Sequence, residues 1–554
     1  MKEIDIFCVN TATKHSYPLG TTLKEISEDL NIKLDRQVCG AIVNNKLAEL
    51  SFGVVKPKTI EFIDSTDRDG QRMYIRSLMF VLFAAIKDLF PKVCLKIQHG
   101  IAKGYYCELD GLNRPISDSD IQALKTKMQE YIDMDLPFIK KGLPTEEVFQ
   151  IYKKQGLDEK AKLIKQQGRI YTDIYFLDKH SNYYFGHLLP STGYIKLFDL
   201  SQYFEGILLR VQKLGKPNKL YKFVKQTKLF DIYQEHKDWV EILDVATVGS
   251  LNEYTLKNKS GDILKISEAL QEKKVAEIAN KISERSDKVK IVLVAGPSAS
   301  GKTTFSKRLS VQLSVNGLHP YQISLDDYFI DREKTPRDEN GEYDFEALEA
   351  IDVDFFNQQL NDLFEGNEVE LPVFDFDLGK RKLSGKKLKL RDNDILIIEG
   401  IHGMNPLLLS NVDSINVFKV FISALTQISF DEQNYISAAD NRLLRRMVRD
   451  SKYRGYNAAE TIKRWPSVKK GEEKNIFPYQ ENADVMFNSA TIYELAVFKK
   501  YAEPLLESIA ENQPEFRETR RLLKFLSYFK PIDDSEIPPT SLLREFLGGS
   551  SFAY

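Results

Sequence analysis

The chain has 554 residues, of which 42% are hydrophobic and 29% charged, and its formal net charge is −2. This length exceeds what one hydrophobic core supports, so we expect about three or four domains. The balanced charge excludes a global basic field for nucleic acid, and the longest apolar run, Leu78 to Ile86, is too short to span a bilayer. The segment Met1 to Asp5 lacks the pattern of a signal peptide, which predicts a cytoplasmic protein without membrane contact.

Residues 1–65, the first domain, are predicted to be small and β-rich. Ile4 to Val9 and Gly40 to Asn44 have the composition of strands, and Gly20-Thr21-Thr22-Leu23 opens a helix with a threonine cap. The pattern resembles the TGS module, a β-grasp fold found in threonyl-tRNA synthetases and some regulatory GTPases. The resemblance leaves contact with tRNA or the ribosome open, although nucleic acid is not the expected partner.

Residues 66–245, the second domain, are predicted to be α+β. An apolar helix follows Tyr74 and ends at Leu89-Phe90-Pro91, and the segment His99 to Tyr106 comes after it. The pattern resembles the second additional domain of threonyl-tRNA synthetase, where mischarged tRNA is edited. In that family the helix carries a histidine pair, whereas Arg76 and Phe80 stand at the matching positions here. We therefore expect no editing chemistry and instead a structural or substrate-sensing role.

Residues 246–285 are predicted to be a helical connector, and residues 286–510 form the third domain. Its first strand, Val289 to Ala295, leads into a run that satisfies G-x-x-x-x-G-K-[ST] and then into a helix. In this context backbone N–H groups wrap a phosphate chain at a helix N-terminus, so the run predicts binding of a nucleoside triphosphate. The residues assigned to ATP are Gly296, Pro297, Ser298, Ala299, Ser300, Gly301, Lys302, Thr303 and Thr304.

Strands alternate with helices after this phosphate loop, which predicts a doubly wound parallel sheet of the α/β P-loop NTPase class. Tyr321 to Leu325 is one such strand and is followed by Asp326, and Asp394 to Ile398 is another and is followed by Glu399. Ligands gather at the carboxyl ends of parallel strands. Two acidic residues there, beside a triphosphate, suit Mg²⁺ binding and proton abstraction.

Five segments of the third domain, in order and spacing, are similar to the uridine kinase and phosphoribulokinase family. They are the phosphate loop, Ser324 to Phe329, Pro372 to Phe376, Ile398 to Ile401 and Arg442 to Asp450. The resemblance implies transfer of the ATP γ-phosphate to the 5′-hydroxyl of a nucleoside, in the first place uridine or cytidine, with Mg²⁺ as cofactor. Uridine kinases fused to TGS and synthetase-like domains exist as a bacterial subfamily, and the whole chain resembles these.

The same resemblance assigns the catalytic roles. Asp326 accepts the hydroxyl proton, Lys302 offsets charge on the phosphates, and Thr303, Asp326 and Glu399 are the predicted Mg²⁺ ligands. Arg442, Arg445 and Arg449 share one helix face, since they recur at i, i+3 and i+7. They are predicted to belong to a lid, with Arg445 and Arg449 catalytic and Arg442 binding substrate. A solvated basic helix is the alternative interpretation.

The acceptor site is assigned to Asp326, Glu346, Asp344, Phe374, Phe376, Arg381 and Arg442. Glu346 matches the family acid that grips the ribose, with Asp344 as the second choice, and the two phenylalanines either stack on a base or belong to the core. Gly379 stands where uridine kinases carry a base-reading histidine. The acceptor therefore stays open between uridine, cytidine, another nucleoside and a different hydroxylated metabolite.

A translation-linked NTPase regulator that uses the first domain is the alternative from a different class of protein. A guanine-specific switch would carry N-K-x-D after the phosphate loop, and the sequence has none there. Residues 511–554 are predicted to be a C-terminal helical tail. The sequence leaves open whether Leu542 to Gly549 covers the site and whether the chain forms a homo-oligomer.

Overall fold

The computed structural model describes residues 2–337, 341, 343–376, 378–410, 412 and 416–554. The first domain is a five-stranded mixed sheet with one helix, in the strand order β2-β1-β5-β3-β4. Its elements are β1 (Glu3–Cys8), β2 (Thr13–Pro18), α1 (Leu23–Asp29), β3 (Gly40–Val43), β4 (Lys46–Ala48) and β5 (Lys58–Ile63). The predicted threonine cap is Thr22, whose hydroxyl accepts a hydrogen bond from Glu25 N, and β1 pairs with β5 in parallel.

The second domain is built around a 22-residue helix that is buried along most of its length. Its elements are α2 (Arg68–Leu89), β6 (Cys94–Ile101), β7 (Gly104–Asp110), α3 (Asp118–Asp133), β8 (Ile139–Pro144), α4 (Thr145–Lys154), α5 (Asp158–Gln166), β9 (Tyr171–Leu177), β10 (His180–Asn182), β11 (Phe198–Tyr203), β12 (Gly206–Lys213) and β13 (Lys216–Leu220). One sheet has the order β10-β9-β8 and the other β11-β12-β7-β6, with β13 beside β12. The apolar helix predicted after Tyr74 is α2, and it ends at Leu89.

Three helices connect the second and third domains, and the first begins at Thr227, before the predicted connector of residues 246–285. They are α6 (Thr227–Ile242), α7 (Val248–Leu256) and α8 (Ser260–Ser283). Val275, Ile278 and Ile282 of α8 are buried in the core that also contains strands of the third domain, so this helix packs directly on the sheet.

The third domain contains a parallel five-stranded sheet in the order β15-β18-β14-β19-β20. Its elements, with those of the tail, are β14 (Ile291–Ala295), α9 (Lys302–Val315), β15 (His319–Ser324), α10 (Val353–Phe364), β16 (Val369–Asp375), β17 (Lys380–Leu388), β18 (Asp394–Glu399), β19 (Val417–Ser423), α11 (Ala438–Tyr453), α12 (Ala458–Asn475), β20 (Val485–Asn488), α13 (Glu494–Glu507), α14 (Phe516–Leu526) and α15 (Arg544–Leu547). The central strand β14 is buried throughout, as a strand covered on both faces must be. The predicted doubly wound parallel sheet is confirmed.

One hydrophobic core joins the second domain to the helical layer of the third domain. Phe80 of α2, Leu444 of α11, Tyr493 beside α13 and Leu522 of α14 all belong to it and are fully buried. Helix α2 therefore shares a core with helices that lie more than 350 residues after Phe80 in the chain. None of the helices in the described ranges combines the length and apolar character needed to cross a membrane.

Candidate active site

The phosphate loop connects β14 to α9 and follows a tightly constrained path. A Cβ atom on Gly296 would lie 2.0 Å from the carbonyl oxygen of Ile422, so only glycine fits there. Gly301 has a φ of +85°, which favours glycine, and Ala299 also adopts a positive φ of 58°. The close approach of β19 at Gly296 and the positive φ angles at Ala299 and Gly301 therefore fix the backbone conformation of the loop.

The loop lysine lies in the field of both acidic residues predicted from the strand ends. Burial lowers the pKa of Lys302, and the carboxylates of Glu399 and Asp326 oppose that shift. Burial raises the pKa of Glu399 to about 7, while the Lys302 ammonium works in the opposite direction. The Thr303 hydroxyl donates a hydrogen bond of 3.0 Å to Glu399 Oε1. The structure thus brings together Lys302, Thr303, Glu399 and Asp326 at one edge of the sheet.

The two neighbouring aspartates after β15 differ in their surroundings. Asp326 is exposed, and its backbone N–H donates to Ser324 Oγ at 3.3 Å. Asp327 instead accepts a hydrogen bond of 3.2 Å from Phe374 N, which ties β16 to the end of β15. Asp326 therefore has a side chain open to a substrate, whereas Asp327 is engaged in holding the backbone.

The three predicted lid arginines on α11 are not solvated. Arg445 is fully buried, with its guanidinium bound to Ser489 O at 2.9 Å and paired with Glu494. Arg442 pairs with Glu472 and donates to Ser298 O of the loop at 3.1 Å. The alternative of a solvated basic helix does not describe these side chains. The catalytic and substrate-binding roles of the arginines stay predictions, since Arg442 and Arg445 are held by carboxylates.

Arg449 lies at the end of the same helix face, beside the C-terminal tail. Its Nη1 is 3.5 Å from Glu545 Oε1. Burial and the neighbouring Arg454 lower the pKa of Arg449 to about 10. This arginine therefore bridges α11 and the tail.

Two further side chains contact the phosphate loop without having been predicted. Arg446 donates to Ser298 Oγ at 2.8 Å, and Glu472 accepts from Ser298 N at 2.9 Å. Arg446 lies in the basic segment Arg442 to Asp450 but outside the i, i+3, i+7 series, so that spacing argument overlooked it. Glu472 has no local signal, because 174 residues separate it from Ser298.

The C-terminal tail does reach the site. Glu545 Oε2 accepts hydrogen bonds from Thr304 N at 3.3 Å and from Thr304 Oγ1 at 2.7 Å. The Tyr554 hydroxyl lies 2.8 Å from the same Thr304 Oγ1. Nothing in the sequence near Thr304 signals this contact, which links residues 241 positions apart.

The predicted ribose acid lies close to the phosphate loop. Glu346 packs against Gly471 of α12, and its carbonyl oxygen accepts from Asn475 Nδ2 at 2.8 Å. Burial raises the pKa of Glu346 to about 7, with the carboxylates of Glu472 and Asp344 adding to the effect and Arg446 opposing it. Glu346 thus lies near the Arg446 that contacts Ser298, whereas Asp344 is paired with Lys474 at 3.9 Å.

The predicted base-stacking residues are unequal. Phe374 is 8% exposed and Phe376 is 57% exposed, and their ring centroids are 5.1 Å apart. Phe374 therefore belongs mainly to the core, and Phe376 offers the accessible ring. Arg381 is paired with Asp352 at 2.8 Å and lies over the Phe355 ring, so this side chain is engaged within the protein.

The predicted Mg²⁺ site would have few protein ligands. Among the described residues, no group of three or more histidine, cysteine, aspartate or glutamate side chains is arranged to hold a metal ion by itself. Thr303 and Glu399 are nevertheless in hydrogen-bonding contact. One hydroxyl and one carboxylate suit Mg²⁺, which commonly takes one or two protein ligands and completes its shell with water and substrate phosphates.

The phosphate loop between a buried parallel strand and a helix, with acidic residues at the adjoining strand ends, defines a P-loop protein of the kinase type. Residues 291–496 match the family model described as Phosphoribulokinase / Uridine kinase family. This part of the chain is therefore a domain of that family, as the sequence predicted.

The N-terminal region is similar to threonine–tRNA ligases. The enzyme from Syntrophomonas wolfei subsp. wolfei is 29% identical over 189 residues, which cover 33% of this chain and 29% of the relative. The enzyme from Desulforamulus reducens is 29% identical over 185 residues, again 33% of this chain and 29% of the relative. The chain thus spans less than a third of the length of these curated relatives, and the predicted resemblance is confirmed for that part.

Two solved structures are similar to part of the chain. One is titled a possible uridine kinase from Bacillus stearothermophilus, with 19% identity, a TM-score of 0.25 and coverage of 38% of this chain and 100% of that chain. The other is D-glycerate 3-kinase from Cryptococcus neoformans var. grubii, with 14% identity, a TM-score of 0.21 and coverage of 46% of this chain and 87% of that chain. Scores this low add nothing to the strand order described above.

Proposed function

We propose that this protein transfers the γ-phosphate of ATP to an alcohol, and that the acceptor is the 5′-hydroxyl of a nucleoside such as uridine or cytidine. The observation that carries the proposal is the convergence of Lys302, the Thr303–Glu399 hydrogen bond and the exposed Asp326 at one sheet edge. The family of residues 291–496 supports a phosphotransferase that acts on small hydroxylated molecules.

Phosphoryl transfer depends mainly on positioning and electrostatic stabilisation. Asp326 is open to a bound substrate, and it would accept the proton of the attacking hydroxyl. Lys302 would donate to the β- and γ-phosphate oxygens, which relieves the desolvation that lowers its pKa. Glu346 would accept hydrogen bonds from the ribose hydroxyls at the edge of the loop.

The residues present fit Mg²⁺. Thr303 and Glu399 would hold it, because the partly buried Glu399 carboxylate has a raised pKa and would be relieved by a nearby cation. When bound, the ion supplies charge neutralisation of the β- and γ-phosphates. Asp326 is close enough to influence the Glu399 carboxylate and would share this region of the site.

The test is transfer of radiolabel from ATP to uridine, cytidine, adenosine and guanosine, with and without Mg²⁺. Asp326→Asn should lower turnover at least about 100-fold while ATP affinity changes little, because the base is lost and the loop is intact. Asp327→Asn is the matched control, since asparagine can still accept from Phe374 N, and it should retain most of the turnover. Equal losses in both variants would contradict the role of Asp326.

A second candidate is a kinase for a different hydroxylated metabolite. Two observations favour it: Gly379 replaces the base-reading histidine, and Arg381 is engaged by Asp352. In the same assay, inactivity on every nucleoside together with transfer to a sugar phosphate or hydroxy acid would select this candidate. Hydrolysis that requires tRNA or ribosomes would select the translation-linked regulator instead.

A further inference from the structure

A cavity of about 560 Å³ lies between the second domain and the helical layer of the third domain. Helix α2 and the β6–β7 hairpin line one side, and α11, α12 and α14 contribute the other. Its lining does not include the loop residues 296–304 or the strand-end carboxylates, so it is a different cavity from the phosphate cradle, although it shares Arg442 with the predicted acceptor site. Its size falls within the roughly 300–1,000 Å³ of small-molecule sites.

The lining carries an excess of positive charge. Seven cationic side chains line the cavity, against three anionic ones, Asp440, Glu472 and Glu473. The cationic residues are Arg68, Arg72, Arg76, Lys103, Arg442, Lys469 and Arg521. The excess means that part of this charge has no counter-charge in the lining itself.

The cations divide into two groups. Arg72 is paired with Asp69 and Glu518, and Arg521 with Asp440 and Glu518. Arg68, Arg76 and Lys469 have no carboxylate oxygen within 4.0 Å among the residues that the structure describes. Arg76 donates a hydrogen bond to His187 O at 3.3 Å.

These three cations are desolvated as well as unpaired. Burial and then Arg68 lower the pKa of Lys469 to about 8. Burial and then Arg72 lower the pKa of Arg76 to about 10, and burial also lowers the pKa of Arg68. Holding like charges together away from water is unfavourable, and a bound anion would remove the penalty.

The remaining lining is rich in aromatic rings. Tyr105, Tyr221, Tyr435 and Trp465 all face the cavity, and the Tyr105 and Tyr435 ring centroids are 5.3 Å apart. His99, also in the lining, has a buried Nε2 with no hydrogen-bond partner among the described residues. Rings suit a planar group, and cations suit phosphate.

We propose that this cavity is a second ligand site, which binds a phosphorylated small molecule of mononucleotide size that carries a planar ring. The phosphate binds among Arg68, Arg76 and Lys469, and the ring packs against the tyrosines. The segment His99 to Tyr106, which the kinase chemistry does not use, supplies part of its wall.

The cavity shares a wall with the phosphate loop. Arg442 and Glu472 line it, and both contact Ser298, through its carbonyl oxygen at 3.1 Å and its N–H at 2.9 Å. Lys469 lies one turn before Glu472 on α12, so the two side chains share a face. Occupancy of the cavity therefore changes the affinity of the loop for ATP, a coupling that rests on the proposed function.

The test is calorimetric titration of the full chain with uridine 5′-monophosphate, adenosine 5′-monophosphate and inorganic phosphate. At least one monophosphate should bind more tightly than inorganic phosphate. Arg68→Gln/Lys469→Gln should weaken that binding at least tenfold, whereas Lys463→Gln, an exposed change on the same helix, should leave it unchanged. Asp326→Asn separates this cavity from the acceptor site, where a nucleoside monophosphate is the expected product, and the binding that depends on Arg68 and Lys469 should persist in it.

Binding that survives in Arg68→Gln/Lys469→Gln, or that disappears in Asp326→Asn, would overturn the proposal. So would the absence of monophosphate binding, or binding of an RNA oligonucleotide alone. Arg76→Gln replaces the double variant if that chain does not fold. Kinase turnover measured in parallel separates failure of this site from failure of the proposed function.

A second inference comes from an independent contact, that of the tail with α9. Thr304 N is one of the first N–H groups of α9, which have no partner within the helix and are the groups that bind phosphate in such loops. Glu545 accepts from this N–H and from the Thr304 hydroxyl, and Tyr554 lies beside it. Arg449 holds Glu545 from the other side at 3.5 Å.

We infer that the tail is autoinhibitory, with the Glu545 carboxylate occupying a position that an ATP phosphate takes. This inference rests on the ATP binding in the proposed function. The ATP phosphates and Glu545 are both negative, so they exclude one another from Thr304, and binding requires the tail to move. The Arg449 guanidinium released in this way is then free to meet the phosphates.

ATP affinity of the full chain tests this inference. Glu545→Gln should bind ATP about tenfold more tightly than the unchanged chain. A chain that ends at Gly549, which lacks Tyr554 but keeps Glu545, should show a smaller gain in ATP affinity. Glu536→Gln, an exposed change in the same tail, should bind as the unchanged chain does. Equal or weaker binding by Glu545→Gln would overturn the inference. No ATP binding by any of these chains would overturn the proposed function as well.

Discussion

Arg442 and Arg445 of α11 carry the same charge as Arg68 and Lys469 of the interdomain cavity, but in different surroundings. Arg442 and Arg445 are each closed by a glutamate and bound to backbone carbonyls, so their charge is satisfied within the protein. Arg68 and Lys469 are half-buried and take part in no ion pair among the described residues. Removing one partner of a buried pair leaves an uncompensated charge, whereas a desolvated cation without an ion pair is relieved by a bound anion.

The largest expected effect comes from breaking a closed pair. Arg445→Ala should destabilise the third domain by about 3–5 kcal/mol, because it leaves Glu494 buried without its partner. Arg454→Ala removes an exposed arginine whose partner Asp450 is buried but also contacts Arg446, so it should change stability by about 1 kcal/mol or less. Thermal unfolding of both variants is the measurement, and similar shifts would remove the distinction between the two kinds of arginine.

An intermediate effect separates two arginines one turn apart on α2. Arg72→Gln should destabilise by about 1.5–3 kcal/mol, because it breaks hydrogen bonds to the carboxylates of Asp69 and Glu518. Arg68→Gln should be neutral or stabilising, since it removes a desolvated cation without an ion pair. Denaturant unfolding compares the two, and a larger loss in Arg68→Gln would show that this side chain has a structural partner.

The smallest effect concerns an unpaired carboxylate and depends on pH. The pKa of Glu346 is raised to about 7 in the folded chain, above its ordinary value of 4.5. Its contribution to stability is therefore fully present below about pH 4.5 and is lost as the pH rises through 7. Glu346→Gln should stabilise the chain by about 1–2 kcal/mol at pH 8 and change little at pH 5.

Unfolding temperatures of the unchanged and Glu346→Gln chains across that pH range check the sign. Glu147→Gln is the control, because it removes an exposed carboxylate and should show no pH-dependent difference. A constant difference between the Glu346→Gln and unchanged chains at all pH values would mean that Glu346 is ionised throughout.

Much of the third domain could be predicted from local sequence. The phosphate loop, the alternation of strands and helices and the acids after β15 and β18 follow from residues that are adjacent in the chain, and Lys302, Asp326 and Glu399 do meet at one edge. Parallel strands bring their carboxyl ends together by geometry alone, so no long-range information is needed. The β-rich first domain and the long helix of the second domain could also be predicted, because both follow from the composition and spacing of residues that are adjacent in the chain.

The state of each charged group was not predictable. The i, i+3, i+7 spacing places Arg442, Arg445 and Arg449 on one face of α11, but their partners Glu472, Glu494 and Glu545 lie on three other elements. The sequence by itself determined the nucleotide-binding chemistry, because a phosphate loop is a local device of glycines, a lysine and a helix start. Only the tertiary structure decided which cations are neutralised, which line a cavity and which carboxylate lies on Thr304, because pairing and burial depend on segments that are distant in the chain.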